Sequence, residues 1–174
     1  MSPGIEIREG RPEDDAERDA LVERLPEGTF FHLSGWRRSV ERIMGHRGVD
    51  LLAFDGDRMC GVLPLVSCRG LRGGKSWISM PYAVYGGPVG ERPEIVTALY
   101  AEAERRAVQA RVGRLELRCL DELDLGASEL ESSDLYATFI KDLPDEVDGV
   151  LAGMPKKSRA EARKARTRHG LELS

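Results

Sequence analysis

Val49-Asp-Leu-Leu-Ala-Phe-Asp-Gly-Asp-Arg-Met-Cys-Gly-Val-Leu-Pro-Leu-Val66 sets the architecture. Val49–Phe54 and Met59–Val66 are rich in β-branched and large apolar residues, and Asp55-Gly56-Asp57 between them is a hairpin signal. The second run continues to Cys68, and Arg69-Gly-Leu-Arg-Gly-Gly-Lys75 supplies another turn. Trp77–Met80 then reads as a third strand that stops at Pro81. The centre of the chain is therefore an antiparallel meander.

Helices flank it on both sides in sequence. Towards the N-terminus, Ile5–Glu9 alternates as a short strand. Pro12–Leu25 reads as a helix whose narrow apolar side is Ala16, Ala20, Leu21 and Leu25, with acids in its first turn. Pro26-Glu27-Gly28 breaks it. Ser34 is the expected N-cap of a second helix. Trp36, Val40, Ile43 and Met44 form its buried face, and Gly45 its C-terminal stop. Beyond the meander, Tyr82-Ala-Val-Tyr-Gly-Gly-Pro-Val-Gly90 is a glycine-rich loop, and Pro93 opens a long helix in the manner of a first-turn proline. Ile95, Leu99, Ala103 and Ala107 step by four along its core side, with Gly113 as the stop. Leu115–Leu117 follows as a strand, Leu135–Ile140 as another. Asp145–Met154 and Lys156–His169 read as helices separated by Pro155. Leu171 begins a strand for which no partner follows. Strands grouped with flanking helices make an α+β class, a mixed, mainly antiparallel sheet.

The 174 residues suffice for one domain with a proper core. A net charge of −4 gives no global pull towards nucleic acid or membrane. Its distribution matters more. Asp121–Asp148 holds ten acidic residues against Lys141, whereas Lys156–Arg168 holds seven basic residues against Glu161. Three cysteines without a C-x-x-C pair, and no histidines at metal-ligand spacing, point to reduced thiols rather than a disulfide framework or a metal site. The first residues carry no leader pattern, and no apolar run reaches the roughly 20 residues that cross a bilayer. The expectation is a cytoplasmic protein with no membrane span.

Ser79-Met-Pro-Tyr-Ala-Val-Tyr-Gly-Gly-Pro-Val89, preceded by Gly61-Val-Leu-Pro-Leu65, resembles the FemAB-related acyltransferases, in particular the branch found beside exosortase (PEP-CTERM) exopolysaccharide systems. Phe31-His-Leu-Ser-Gly-Trp36, Gly45-His46, Leu115-Glu-Leu-Arg118 and the basic stretch Pro155–Gly170 match in the same order. The resemblance implies a GNAT-like fold, with 1–154 as the N-terminal half and 155–174 as a basic helix leading towards a second GNAT-like domain absent from this chain. It also implies a transferase that moves an acyl or aminoacyl group onto an amine of a cell-envelope precursor such as a peptidoglycan intermediate. The implied donor is an aminoacyl-tRNA or an acyl-CoA, and no cofactor is retained. The coenzyme A signature common in the fold is absent: Arg69 and Arg72 beside Gly73-Gly74 do not fit it.

Tyr82–Gly90 is the leading candidate for ligand contact. Tyr82 and Tyr85 can stack on or hydrogen-bond to a ligand, or simply cap the sheet, and Gly86 and Gly87 let a ligand approach the backbone ahead of a helix N-terminus. The same glycines also suit a tight strand-to-helix connection. Arg118, ending a strand beside this loop, can pair with a carboxylate or phosphate. Lys156, Arg159, Arg163 and Arg166 share one helix face that suits the phosphates of a tRNA or a nucleotide-sugar, or is simply solvated. His46 is a possible base, although no catalytic residue is assigned. The alternative function is a non-catalytic half that binds a phosphorylated nucleotide-sugar or glycolipid precursor.

Overall fold

A computed structural model describes residues 4–70, 73–120, 122–123, 131–133 and 138–171. The chain divides into two compact units, 1–131 and 132–174. The first holds β1 (Glu6–Glu9), α1 (Asp15–Arg24), α2 (Ser34–Met44), β2 (Arg47–Gly48), β3 (Leu51–Asp55), β4 (Arg58–Leu63), β5 (Val66–Arg69), β6 (Lys75–Ile78), β7 (Val89–Gly90), α3 (Pro93–Gln109) and β8 (Arg114–Glu116). The second holds α4 (Val147–Ala152) and α5 (Lys156–His169).

The expected hairpin forms, with Leu51 opposite Leu63 and Asp55 opposite Arg58, and Gly56 takes the left-handed turn position at φ 63°. The run Met59–Val66 is not one strand, however. It breaks at Pro64, which has no N–H to give to a ladder, and the sheet divides there. One sheet runs β1-β3-β4-β7 and the other β2-β5-β6-β8. All pairings are antiparallel except β6 with β8. Across the break, the Val49 N–H donates to the Leu65 carbonyl at 2.8 Å, and the Leu65 N–H is taken by Asp50 Oδ1 at 3.0 Å. A side chain thus replaces the missing rung.

Helices cover both faces of the first sheet. Ile95, Leu99, Ala103 and Ala107 of α3 bury against Leu51, Ala53 and Leu63, as their spacing predicts. Gly61 permits that approach, since a Cβ there would stand 2.4 Å from Ile95 Cγ2. Leu21 and Val22 of α1 pack against Leu52, Met59 and Val62 on the opposite face. Val40 of α2 covers Val66, Met80 and Ala83 at the second sheet.

Several expectations need correction. Ala16 and Ala20 are not buried, and the buried side of α1 is Arg18, Leu21 and Val22. Arg18 can lie there because its Nη1 pairs with Asp50 and its Nε donates to the His32 carbonyl. Ile43 and Met44 are 76% and 47% exposed. The side of α2 turned to α1 is instead polar, with Arg37 bonded to Asp15 at 2.8 Å and Glu41 at 3.3 Å. Ser34 is the first residue of α2, not its cap, and Asp19 binds both its N–H and hydroxyl at 2.7 Å. α3 ends at Gln109, before the left-handed Arg111 (φ 51°), rather than at Gly113. Thr138–Ile140 carries no strand, and Leu135–Ala137 lie outside the described residues, as do Arg72 and the last three residues of the strand expected from Leu171. Among the described residues no helix is long and apolar enough to cross a membrane.

Candidate functional site

The loop after β6 is held at a neck by β8 and the residues that continue it. Ser79 N–H donates to the Glu116 carbonyl at 2.8 Å, extending the parallel ladder by one rung. Ser79 Oγ then accepts the Arg118 N–H at 2.7 Å, and the Gly86 N–H returns to the Arg118 carbonyl at 2.8 Å. Residues 80–85 bulge between these two points. The reversal puts Met80 (φ 53°) and Tyr82 (φ 65°) in the left-handed region, which is strained for side chains with a Cβ. Arg118 stabilises the bulge directly. Its Nη1 donates to the Ala83 carbonyl at 3.0 Å while Nε pairs with Glu116 at 2.8 Å.

A cavity of about 460 Å³ opens beside this neck, between the α1–α2 connection, the segment Tyr85–Pro93 leading into α3, and Cys119, Leu120, Glu122 and Leu123. Its apolar wall includes Leu25, Pro88, Val89, Val96 and Leu120. Its polar wall includes Thr29, His32, Tyr85, Arg92 and Cys119, with Glu27, Glu91 and Glu122. Tyr85 Oη is buried and has no hydrogen-bond partner among the described residues. Glu91 is held by Arg58 at 2.5 Å, with Arg24 at 3.8 Å, and the hydrogen bond from Arg58 keeps its carboxyl below the ordinary range. Arg92 reaches back to Asp55 at 3.4 Å. Burial pushes the Cys119 thiol up to about 11, so it is protonated at neutral pH.

His32 is 2% exposed and links two walls of the cavity. The Thr29 N–H donates to Nδ1 at 3.1 Å, and Thr29 Oγ1 lies 2.8 Å from the same nitrogen. Nδ1 is therefore an acceptor, which leaves Nε2 to carry the hydrogen towards the Gly87 carbonyl, 2.9 Å away. Burial, reinforced by the nearby charge of Arg18, holds the imidazole below its usual pKa.

The residues singled out from sequence are distributed as follows. Tyr85 and Gly87 line the cavity. Gly86 lies at the neck, where a Cβ would meet Met80 Cβ at 2.7 Å, and a Cβ on Gly87 would stand 2.6 Å from Cys119 Sγ. Both glycines are thus required by protein packing, and it is the Gly87 backbone that faces the open space. Tyr82 is 55% exposed, with its ring stacked on His46 at 5.9 Å and its Oη 3.0 Å from His46 Nε2. Neither residue is on the cavity wall, nor is Arg118. Lys156, Arg159 and Arg163 belong to α5 of the second unit. His32 and Cys119 were not singled out. The sequence signal for His32 is its place in the matching stretch Phe31-His-Leu-Ser-Gly-Trp36, and Cys119 carries none beyond following the strand expected at Leu115–Leu117. Among the described residues no group of three or more His, Cys, Asp or Glu could hold a metal ion.

No family model matches the chain, and no curated protein matches it. Solved structures do. A protein from Thermus thermophilus aligns at TM-score 0.52 and 19% identity, over 79% of this chain and 99% of its own. A predicted acetyltransferase from Clostridium acetobutylicum, crystallised with acetyl-CoA, aligns at TM-score 0.51 and 10% identity, over 79% of this chain and 96% of its own. A protein described as a transcriptional regulator from Bacillus halodurans aligns at TM-score 0.50 and 16% identity, over 80% of this chain and 100% of its own. The fold is the α+β fold of the GNAT acyltransferases, as the sequence resemblance implies. At these identities the likeness fixes architecture, and chemistry must be argued from the site.

Proposed function

We propose that this chain is a cytoplasmic acyltransferase of the FemAB-like branch, moving an acyl or aminoacyl group to an amine of a cell-envelope precursor such as a peptidoglycan or exopolysaccharide intermediate. The observation that carries the reading is the position of the cavity. It opens where β6 hands over to α3 through Gly87–Arg92, in a fold shared with a predicted acetyltransferase solved with acetyl-CoA.

The wall chemistry suits the reacting groups better than a donor's phosphates. Of the charged groups on the wall, Glu91 is paired with Arg58 and Arg92 with Asp55, and the two that remain, Glu27 and Glu122, are both acidic. An approaching amine meets favourable charge there, whereas a pyrophosphate does not. The mechanism is direct attack of the amine on the carbonyl of a thioester or ester. The new C–N bond forms as the C–S or C–O bond breaks, and the amine proton leaves to solvent. Tyr85 lines the cavity, its hydroxyl has no protein partner among the described residues, and this reading assigns it as the donor to the carbonyl oxygen as charge develops there. Holding both reactants in one cavity supplies the rest.

The test is incubation of the chain with acyl-CoA donors and with aminoacyl-tRNA against amines, including a nucleotide-linked muropeptide, reading mass gain on the acceptor. No gain with either donor class sinks the reading. A second reading, a half that binds a phosphorylated precursor without turnover, is favoured by one feature. Both nitrogens of His32, the histidine on the cavity wall, are already engaged, so it is not free to act as a base. Saturable binding of a nucleotide-sugar with no product distinguishes it.

A further inference from the structure

The helix α5 has a charge arrangement that the cavity does not use. It starts after Pro155 and stops at Gly170 in the left-handed conformation (φ 60°), so its ends are well defined. None of its residues is buried. At 3.6 residues per turn, Lys156, Arg159, Arg163 and Arg166 form one row, and Lys157, Lys164 and Arg168 form a second. Ala160 and Thr167 lie between the rows. All seven cations fall within an arc of about 200° centred near those two small residues. Glu161, the one acid, lies just outside that arc and is bonded to Lys164 at 2.8 Å. Arg159 is partly engaged at the Ala152 carbonyl, 3.2 Å away, and the other six cations are exposed.

We propose that α5 is an electrostatic docking surface for an anionic phospholipid bilayer. This is independent of the acyl-transfer reading. Two parallel rows over roughly 20 Å of helix present a two-dimensional array of cations. The small residues between the rows let the backbone come close to a plane while long Lys and Arg side chains reach down on both flanks. A planar field of phosphates satisfies both rows at once, whereas a single nucleic-acid strand tracks one. The helix also carries no aromatic Phe, Tyr or Trp side chain on which bases would stack. Because α5 has no large apolar side chain, attachment is by charge alone, reversible and dependent on anionic lipid. The acidic stretch Asp121–Asp148 is repelled by the same surface, which confines the attraction to α5.

The full chain is tested by flotation with vesicles of pure phosphatidylcholine and of phosphatidylcholine with about 30% phosphatidylglycerol. The expected result is binding to the second alone at low salt, lost at high salt. Reversing one row in the variant K157E/K164E/R168E weakens binding by about a hundredfold or more, at roughly fivefold or more per charge. The conservative variant K156R/K157R/K164R retains it, which separates lost charge from lost structure, and circular dichroism checks that the helix persists in both. Equal binding to the neutral vesicles overturns the proposal, as does failure to bind the anionic ones. Displacement from anionic vesicles by duplex RNA at equal phosphate concentration reassigns the surface to nucleic acid and overturns it too.

Discussion

His32 Nε2 and the Gly87 carbonyl, 55 positions apart in sequence, are 2.9 Å apart in the fold, joining the α1–α2 connection to the loop that enters α3. The imidazole does this as a neutral ring, since Nδ1 already accepts from the Thr29 N–H. Burial lowers its pKa in the folded state. The unfolded chain therefore binds the proton more readily, and acidification favours unfolding. The contribution of His32 is complete above about pH 6.5, the ordinary histidine value, and drains away as pH falls through it towards the folded-state value. Denaturant midpoints at about pH 8, 6 and 5 are expected to decline for the native chain, and less steeply for His32→Gln. Parallel curves for the two would remove His32 from the account.

Gly87 and Cys119 form a second checkable pair. A Cβ on Gly87 would stand 2.6 Å from Cys119 Sγ and 3.4 Å from its Cα and Cβ. The sulfur is only two bonds from the backbone and has little room to yield, so Gly87→Ala is expected to cost about 1–3 kcal/mol, the usual range for overpacking. Cys119→Ala removes the obstructing atom. The double variant should therefore be more stable than the sum of the single losses predicts, by a coupling of roughly 1 kcal/mol in a denaturation cycle. Strict additivity would show that the glycine is needed for something other than this contact.

Much of the scaffold is legible in the sequence because its burial is one-sided. Ile95, Leu99, Ala103 and Ala107 face the sheet just as their four-residue step requires. The Asp55-Gly56-Asp57 turn likewise declares its hairpin. What misleads is burial satisfied by polar groups. Arg18 reads as solvent-facing until Asp50, 32 positions further along the first unit, is brought against it. Ile43 and Met44 read as core because apolar spacing cannot reveal that Arg37 occupies the inward side of α2. The cavity was half legible. Tyr85 and Gly87 lie in an evident glycine-rich loop, but His32 and Cys119 join them only through tertiary closure.

Arg18 and Asp50 yield a third expectation. The two form an ion pair at 2% and 4% exposure, and Arg37 Nε stands 3.2 Å from the same carboxylate. Asp50 also takes the Leu65 N–H at the division of the sheet. Asp50→Asn leaves two cations around a neutral group and is expected to cost about 3–5 kcal/mol. Arg18→Met still leaves Asp50 paired with Arg37, and should cost less, about 1–3 kcal/mol for the hydrogen bonds lost. Urea unfolding of both variants measures the difference. Equal losses would contradict the view that Asp50 is the shared anchor.

Tyr85 separates fold from function most directly. The residue lines the cavity, and its hydroxyl is buried with no protein partner among the described residues. A buried polar group without a partner weakens the fold relative to its absence, so Tyr85→Phe is expected to leave stability unchanged or to raise it by up to about 1 kcal/mol. If the hydroxyl donates to a reacting carbonyl, the same substitution lowers kcat by roughly three- to tenfold while the melting temperature holds, because a neutral hydrogen bond contributes about 0.5–1.5 kcal/mol. Thermal melts and single-turnover transfer on one preparation test both halves together. A loss of stability would mean that the hydroxyl has a structural partner, and an unchanged rate would take Tyr85 out of the chemistry.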